Sequence, residues 1–125
     1  MIEGFVNDGL EPMVELELIT EGNTEKIFAV VDTGFNGHLC LAENQIDKMD
    51  LTYAGTDLFE LGNGELVEND IFSGRIIFDE RECDVLVIIS TSSDVLIGTS
   101  LLKTKTFLVD FVDRKVRIKD KEARQ

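Results

Sequence analysis

An all-β domain built from short strands, a small barrel or sandwich, is the fold class this sequence predicts, and three observations predict it. Apolar residues recur mainly with period two, the apolar runs are separated by clusters of turn residues, and only two stretches carry a helical spacing.

The first clear strand is MVELELIT, where Val14, Leu16 and Leu18 alternate with Glu15, Glu17 and Ile19. The polar cluster EGNT interrupts it before KIFAVV resumes, which reads as a hairpin. CLAENQIDKMDL, residues 40–51, is expected to be helical, because Leu41 or Ala42, Ile46 and Met49 fall on one face; Leu51 then leads into the next strand. TDLFEL, LVENDIFSGRIIF and CDVLVII follow as strands, separated by GNGE and DERE. DVLIGTSLL, residues 94–102, is an apolar strand ending in glycine, with a brief helical turn over TSLLKTK. FLVDFVDRKVRIK closes the chain as a hairpin over Asp113 and Arg114, with Asp110 and Asp113 expected to face solvent.

At 125 residues the chain can bury one core and has little room for a second, so residues 1–125 are read as one domain. No repeat, low-complexity segment or linker divides it. A net charge of −13 repels nucleic acid and anionic lipid, so neither is expected as a partner. No fully apolar run is longer than VLVII, which is far too short to span a membrane, and MIEGFVND lacks the basic start and apolar stretch of a signal peptide. The expectation is a cytoplasmic protein. Cys40 and Cys83 are too few and too distant for a disulfide framework or a zinc cluster and are read as buried thiols. His38, the single histidine, has neither a nucleophile partner at a recognisable elbow nor companion ligands; no metal and no cofactor is expected.

The stretch that asks for an explanation is AVVDTGFNGHLCL, residues 29–41. Three apolar residues lead to Asp32, which should emerge at the inner end of a buried strand, where a charge is costly unless it is hydrogen-bonded or shared. Gly34 then allows a sharp turn with close backbone approach. Carboxylate-based peptide hydrolysis needs two such groups close together holding one proton, so that one activates water while the other protonates the carbonyl oxygen. The chain offers one, and the simplest resolution is a two-fold symmetric homodimer that would supply the other, since at such an interface a residue can meet its own copy.

Ala29–Gly34 and the later Val95–Gly98 with Leu101 and Leu102 together resemble the retropepsin-like aspartic proteases. In that family a strand ending in Asp-Thr/Ser-Gly is backed by a second aliphatic strand ending in Gly before a helix near Leu-Leu. Between them AENQIDKM corresponds to the family's helix and FELGNGELVENDIF to its glycine-bearing flap, so the resemblance covers nearly the whole chain. The wording Asp-Thr-Gly-Phe is closer to prokaryotic clan AA members than to the viral enzymes. The resemblance implies a closed, single-lobe β-barrel protomer with one or two short helices, a homodimer with an Asp32 dyad, and a peptide or unfolded protein as substrate. It further implies that Thr33 donates across the dimer axis, that the Gly34 N–H bonds the Asp32 carboxylate, and that Gly62, Asn63 and Gly64 contact substrate from the flap. Phe35 and Asn36 would flank the substrate, and Gly98 and Thr99 would support the turn from behind.

The chain departs from the viral pattern at Phe35, where a small residue is usual, so its ring would either fill part of the cleft or turn into the core. It departs again at Asn36 and Thr99, which replace an aspartate–arginine pair; because both charges are gone together, a hydrogen bond or water bridge between the two is expected. The function this implies is an aspartic endopeptidase. The alternative is a non-catalytic dimeric peptide-binding or assembly domain that keeps the fold.

Overall fold

The computed structural model describes residues 1–121. Ten strands dominate: β1 (Ile2–Val6), β2 (Pro12–Thr20), β3 (Asn23–Val31), β4 (Leu39–Ala42), β5 (Thr52–Glu60), β6 (Leu66–Phe78), β7 (Arg81–Ser90), β8 (Leu96–Ile97), β9 (Lys105–Asp110) and β10 (Lys115–Asp120). They join in the order β5-β6-β7-β4-β8-β3-β2-β1-β10-β9. A further pairing of β6 with β2, Glu17 opposite Ile77 and Leu18 opposite Ile76, returns the order upon itself. Six strands, β2-β3-β8-β4-β7-β6, therefore form a closed hydrogen-bonded circuit, which removes the free edges they would otherwise present.

The period-two reading holds in the core. Val14, Leu16 and Leu18 of β2 are buried with Ile27, Ala29 and Val31 of β3, the β2–β3 register setting Val14 opposite Ala29 and Leu16 opposite Ile27. The intervening turn is tighter than EGNT suggests: only Glu21 and Gly22 lie outside the strands, with Gly22 at φ 75°. Asp79 and Glu80, both at positive φ, form the two-residue connection between β6 and β7, the geometry that matches the natural twist of a hairpin. Lys105 bridges this turn to the chain's end, 3.2 Å from Asp79 and 2.7 Å from Asp120.

The helix expected over residues 40–51 forms only in part. Leu39–Ala42 is a strand, parallel to β7 and antiparallel to β8, and all four of its residues are buried. Only Glu43–Lys48 turns, as a 3₁₀ segment, and Ile46 on it is 39 % exposed. A four-residue apolar run buried on both faces has the same composition as a helix face, and the pairing available from β7 and β8 decides in favour of the strand. The second helical stretch is one 3₁₀ turn, Thr99–Leu101. Of the two thiols, Cys40 is buried and Cys83 only half-buried. β1, unmarked by any long alternation, is held by β10 along Ile2–Phe5 and by β2 at Phe5 and Val6. No helix among the described residues is long and apolar enough to cross a membrane.

Candidate active site around Asp32

β3 delivers Asp32. Val30 and Val31 pair in parallel with Leu96 and Ile97 of β8, and the ladder runs on as the Asp32 N–H donates to the Ile97 carbonyl at 2.9 Å. The chain then reverses: the Phe35 N–H bonds the Asp32 carbonyl at 3.1 Å, and the Gly34 N–H bonds the Asp32 Oδ1 at 2.9 Å. A Cβ on Gly34 would stand 3.2 Å from that oxygen, and its φ is not left-handed, so closeness to the carboxylate is what the glycine provides. Within one chain Asp32 is half-buried rather than buried, with Thr33 and Gly34 exposed beside it. The Thr33 hydroxyl makes no hydrogen bond among the described residues.

Behind this loop lies the Gly98–Ser100 turn. The Gly98 N–H donates to the His38 carbonyl (3.0 Å), that of Thr99 to Phe35 (2.8 Å) and that of Ser100 to Gly37 (3.2 Å). The Ser100 hydroxyl adds a bond to the Asn36 carbonyl at 2.5 Å. Thr99 Oγ1 lies 3.4 Å from Asn36 Oδ1, the neutral contact expected from the paired replacement, at the weak end of hydrogen-bond distances. Gly98 has no room for a side chain, since a Cβ would fall 2.3 Å from the Gly37 carbonyl oxygen and 2.5 Å from that of Phe35.

Phe35 turns back on its own loop. Its ring presses on Gly37, where a Cβ would be 2.6 Å from the ring tip, and on Gly98, at 2.8 Å from a ring edge. The half-buried ring thus requires two bare glycines, and neither requirement is visible from the sequence around it. His38 is likewise half-buried, and its Nδ1 accepts the Leu86 N–H at 3.2 Å. Burial, and then the positive charge of Lys103, hold the imidazole below its usual pKa. Burial pushes the Cys40 thiol up, against a smaller opposing effect of its hydrogen bond with Ser90.

Asp32 and Thr33 open onto a groove of about 560 Å³ that Leu10, Pro12, Val30, Leu96 and Phe107 also line. Glu11 and Asp94 are the other carboxylates along it. The parallel register that sets Leu96 beside Val30 puts Asp94 level with Phe28, four residues behind Asp32, on the order of 13 Å away at the rise of a strand. It cannot share a proton with Asp32. Sequence reasoning passed over Leu10, Pro12, Asp94 and Phe107, which carry no periodic or motif signal and meet Asp32 only through folding.

The β5–β6 hairpin places Gly62, Asn63 and Gly64 at its tip, and none of the three lines the Asp32 groove. The tip is closed locally, with Leu61 N–H to the Glu65 carbonyl (2.8 Å), Gly64 N–H to Leu61 (2.9 Å) and Glu65 N–H to Asn63 Oδ1 (3.0 Å). Gly64 needs its bare Cα for a φ of 85°, whereas Gly62 is neither left-handed nor crowded. Among the described residues no group of three or more His, Cys, Asp or Glu is placed to hold a metal.

No family model and no curated protein matches the sequence. Similarity appears among solved structures. A retropepsin-like aspartic protease from Rickettsia conorii superposes with a TM-score of 0.62 at 19 % identity, over 92 % of this chain and 86 % of that one. EIAV protease, complexed with the inhibitor HBY-793, superposes with a TM-score of 0.55 at 16 % identity, over 78 % of this chain and 89 % of that one. With its all-β architecture and the placement of the Asp32 turn against β8, the chain has the retropepsin-like aspartic protease fold.

Proposed function

We propose that the chain is an aspartic endopeptidase that cleaves extended peptides, active as a homodimer in which Asp32 of each copy contributes one carboxylate. The observation that carries this reading is the setting of Asp32: a carboxylate pinned by the Gly34 N–H at the head of an apolar strand, opening with Thr33 onto a groove. Two carboxylates about 3 Å apart cannot both ionise, so the pair holds one proton. The ionised member takes a proton from water as the water attacks the scissile carbonyl, and the protonated member donates to the carbonyl oxygen. Thr33 would reach across the axis with its free hydroxyl. Phe35 and Asn36 would flank the peptide, while Gly62, Asn63 and Gly64 would close over it and exclude water. Gly98 and Thr99 hold the turn in place, no cofactor takes part, and the two free thiols suit a reducing compartment such as the cytoplasm.

The test is cleavage of an unstructured peptide by the wild type and by Asp32→Asn. The substitution keeps hydrogen-bonding capacity while removing the general base, so cleavage is expected to fall at least about 1,000-fold with no loss of thermal stability. Activity should follow a bell-shaped pH profile peaking on the acidic side of neutral and be blocked by a statine-type mimic of the tetrahedral intermediate. Undiminished cleavage by Asp32→Asn would overturn the assignment. Peptide binding and dimerisation without any cleavage would favour an assembly domain.

A further inference from the structure

No base lines the groove of Asp32. Its charged residues are Glu11, Asp32 and Asp94, all acids, and among the described residues none of the three takes part in an ion pair. Glu11 Oε1 accepts from the Asn7 side-chain amide at 3.2 Å, and Asp32 Oδ1 accepts from the Gly34 N–H. Asp94 is exposed, and its own N–H turns to the Ser92 hydroxyl at 3.2 Å. The bases of β9, β10 and the turn between them serve other surfaces. Lys105, two residues before Phe107 of the groove, bonds Asp79 (3.2 Å) and Asp120 (2.7 Å). Arg114, whose carbonyl accepts the Val6 N–H, pairs with Asp8 at 3.1 Å. Lys115 and Arg117 line a separate groove with Glu3, Asp110 and Asp113, and Lys119 follows them on the same face of β10. Lys103 acts on His38, at the other end of the Asp32 loop.

Register sets two of the three acids apart. Val30 of β3 lies beside Leu96 of β8, with Asp32 two residues beyond Val30 and Asp94 two residues before Leu96, all four lining the groove. An extended peptide laid over the Val30–Leu96 pair therefore meets Asp32 at one end and Asp94 at the other, on the order of 13 Å apart. Glu11 joins from the loop between β1 and β2. The hairpin that the peptidase reading closes over the peptide repeats the bias. From Thr52 to Gly74 it carries five acids and no base, and Arg75, further along β6, pairs with Glu82 at 3.3 Å.

A carboxylate without a partner repels an acidic peptide and accepts a Lys or Arg side chain as its counter-ion, and a cleft lined by one sign of charge focuses the potential. The net charge of −13 draws cations to the whole molecule, whereas a groove without bases directs them. Resting on the peptidase reading above, we propose that the groove selects cationic peptides, with Lys or Arg about four residues from the scissile bond seated at Asp94 and Glu11. Under the same reading the second copy presents the same acids to the other half of the peptide, so the preference applies on both sides.

The experiment compares peptides of one length that share apolar central residues and carry Lys, Gln or Glu about four residues out on either side. Binding is read by fluorescence anisotropy on full-chain Asp32→Asn, and kcat/KM on the wild type, each at low and high salt. At low salt the lysine peptide is expected to bind at least about tenfold more tightly than the glutamate peptide, with kcat/KM following, and most of that ratio is lost at high salt. Glu11→Gln and Asp94→Asn should each lower the ratio about two- to fivefold. Glu21→Gln, in the β2–β3 turn at the opposite end of β3 from Asp32, should leave it unchanged. A lysine peptide that does not bind, or a ratio that Glu21→Gln lowers as much as the groove variants do, would overturn the proposal. Cleavage of all the peptides at one rate would overturn it while leaving the peptidase reading intact. Charge-selective binding that the groove variants weaken, without cleavage of any peptide, would keep the cationic preference and remove the peptidase reading.

Discussion

The loop from Asp32 to His38 and the tip of the β5–β6 hairpin are both glycine-bearing turns, yet the fold anchors them in opposite ways. The Asp32 loop is bonded across sixty residues of sequence: carbonyls of Phe35, Asn36, Gly37 and His38 all accept from the Gly98–Ser100 turn, and the Phe35 ring fills the space that Gly37 and Gly98 leave. Among the described residues the hairpin tip bonds only to itself between Leu61 and Glu65, and none lies within 4 Å of the positions a Cβ would take on Gly62 or Gly64. A segment with exposed, purely local hydrogen bonds opens at small cost, whereas one locked to a remote turn opens only when that packing is lost. Under the proposed peptidase reading, the difference would suit a charge held still beneath a cover that admits a chain.

The largest effect that would sharpen this contrast is expected from Gly98→Ala. Its new methyl would meet two backbone carbonyls, which cannot swing aside as a side chain can. A loss of at least about 3 kcal/mol in stability is expected, together with most of any peptidase activity. Denaturant unfolding measures it, and a change under about 1 kcal/mol would show that the brace yields.

At the hairpin the same chemical change should do far less. Gly64→Ala meets no atom and is penalised only by its positive φ, about 1 kcal/mol, while Gly62→Ala is free of both penalties and should fall within about 0.5 kcal/mol of wild type. If the tip must close over substrate, Gly64→Ala should slow peptide cleavage by more than its stability loss accounts for. Equal stability losses at Gly64 and Gly98 would break the comparison.

The smallest effect concerns pH and again falls on the braced side. The folded state holds His38 below its ordinary pKa, chiefly by burial, so the unfolded chain binds its proton more readily. This contribution is therefore fully present above about pH 6.5 and is lost as the pH falls from there through the lowered folded value. His38→Gln should flatten the stability profile over that interval, which thermal melts from pH 7.5 to 5 would record. An unchanged slope would show that the imidazole does not couple to folding.

Legibility of the site followed the same division. Asp32 was legible because a carboxylate at the end of an apolar strand needs a nearby donor, whereas the Gly34 contact and the place of Gly98 came from the family resemblance. The fate of Phe35 was not legible, since a choice between cleft and core depends on whether glycines two and sixty-three residues away leave it a bed. Leu10 reads in sequence as one apolar residue in a polar loop. Only its left-handed backbone and its place beside Asp32 give it meaning.

By itself, the sequence determined the all-β class, the β2–β3, β5–β6, β6–β7 and β9–β10 hairpins, and the site's central Asp-Thr-Gly turn, because alternation and turn chemistry are properties of a few adjacent residues. Tertiary structure decided what depends on partners distant in the chain. It turned Cys40–Ala42, the start of an expected helix, into part of a strand between β7 and β8, and it closed the circuit where β6 meets β2. It also gave β1 a place on β10 and brought Leu10 and Phe107 to the groove of Asp32. The physical reason is common to all four. An apolar side chain specifies that it will be buried, and only the pairing of backbone groups across the assembled sheet specifies against what.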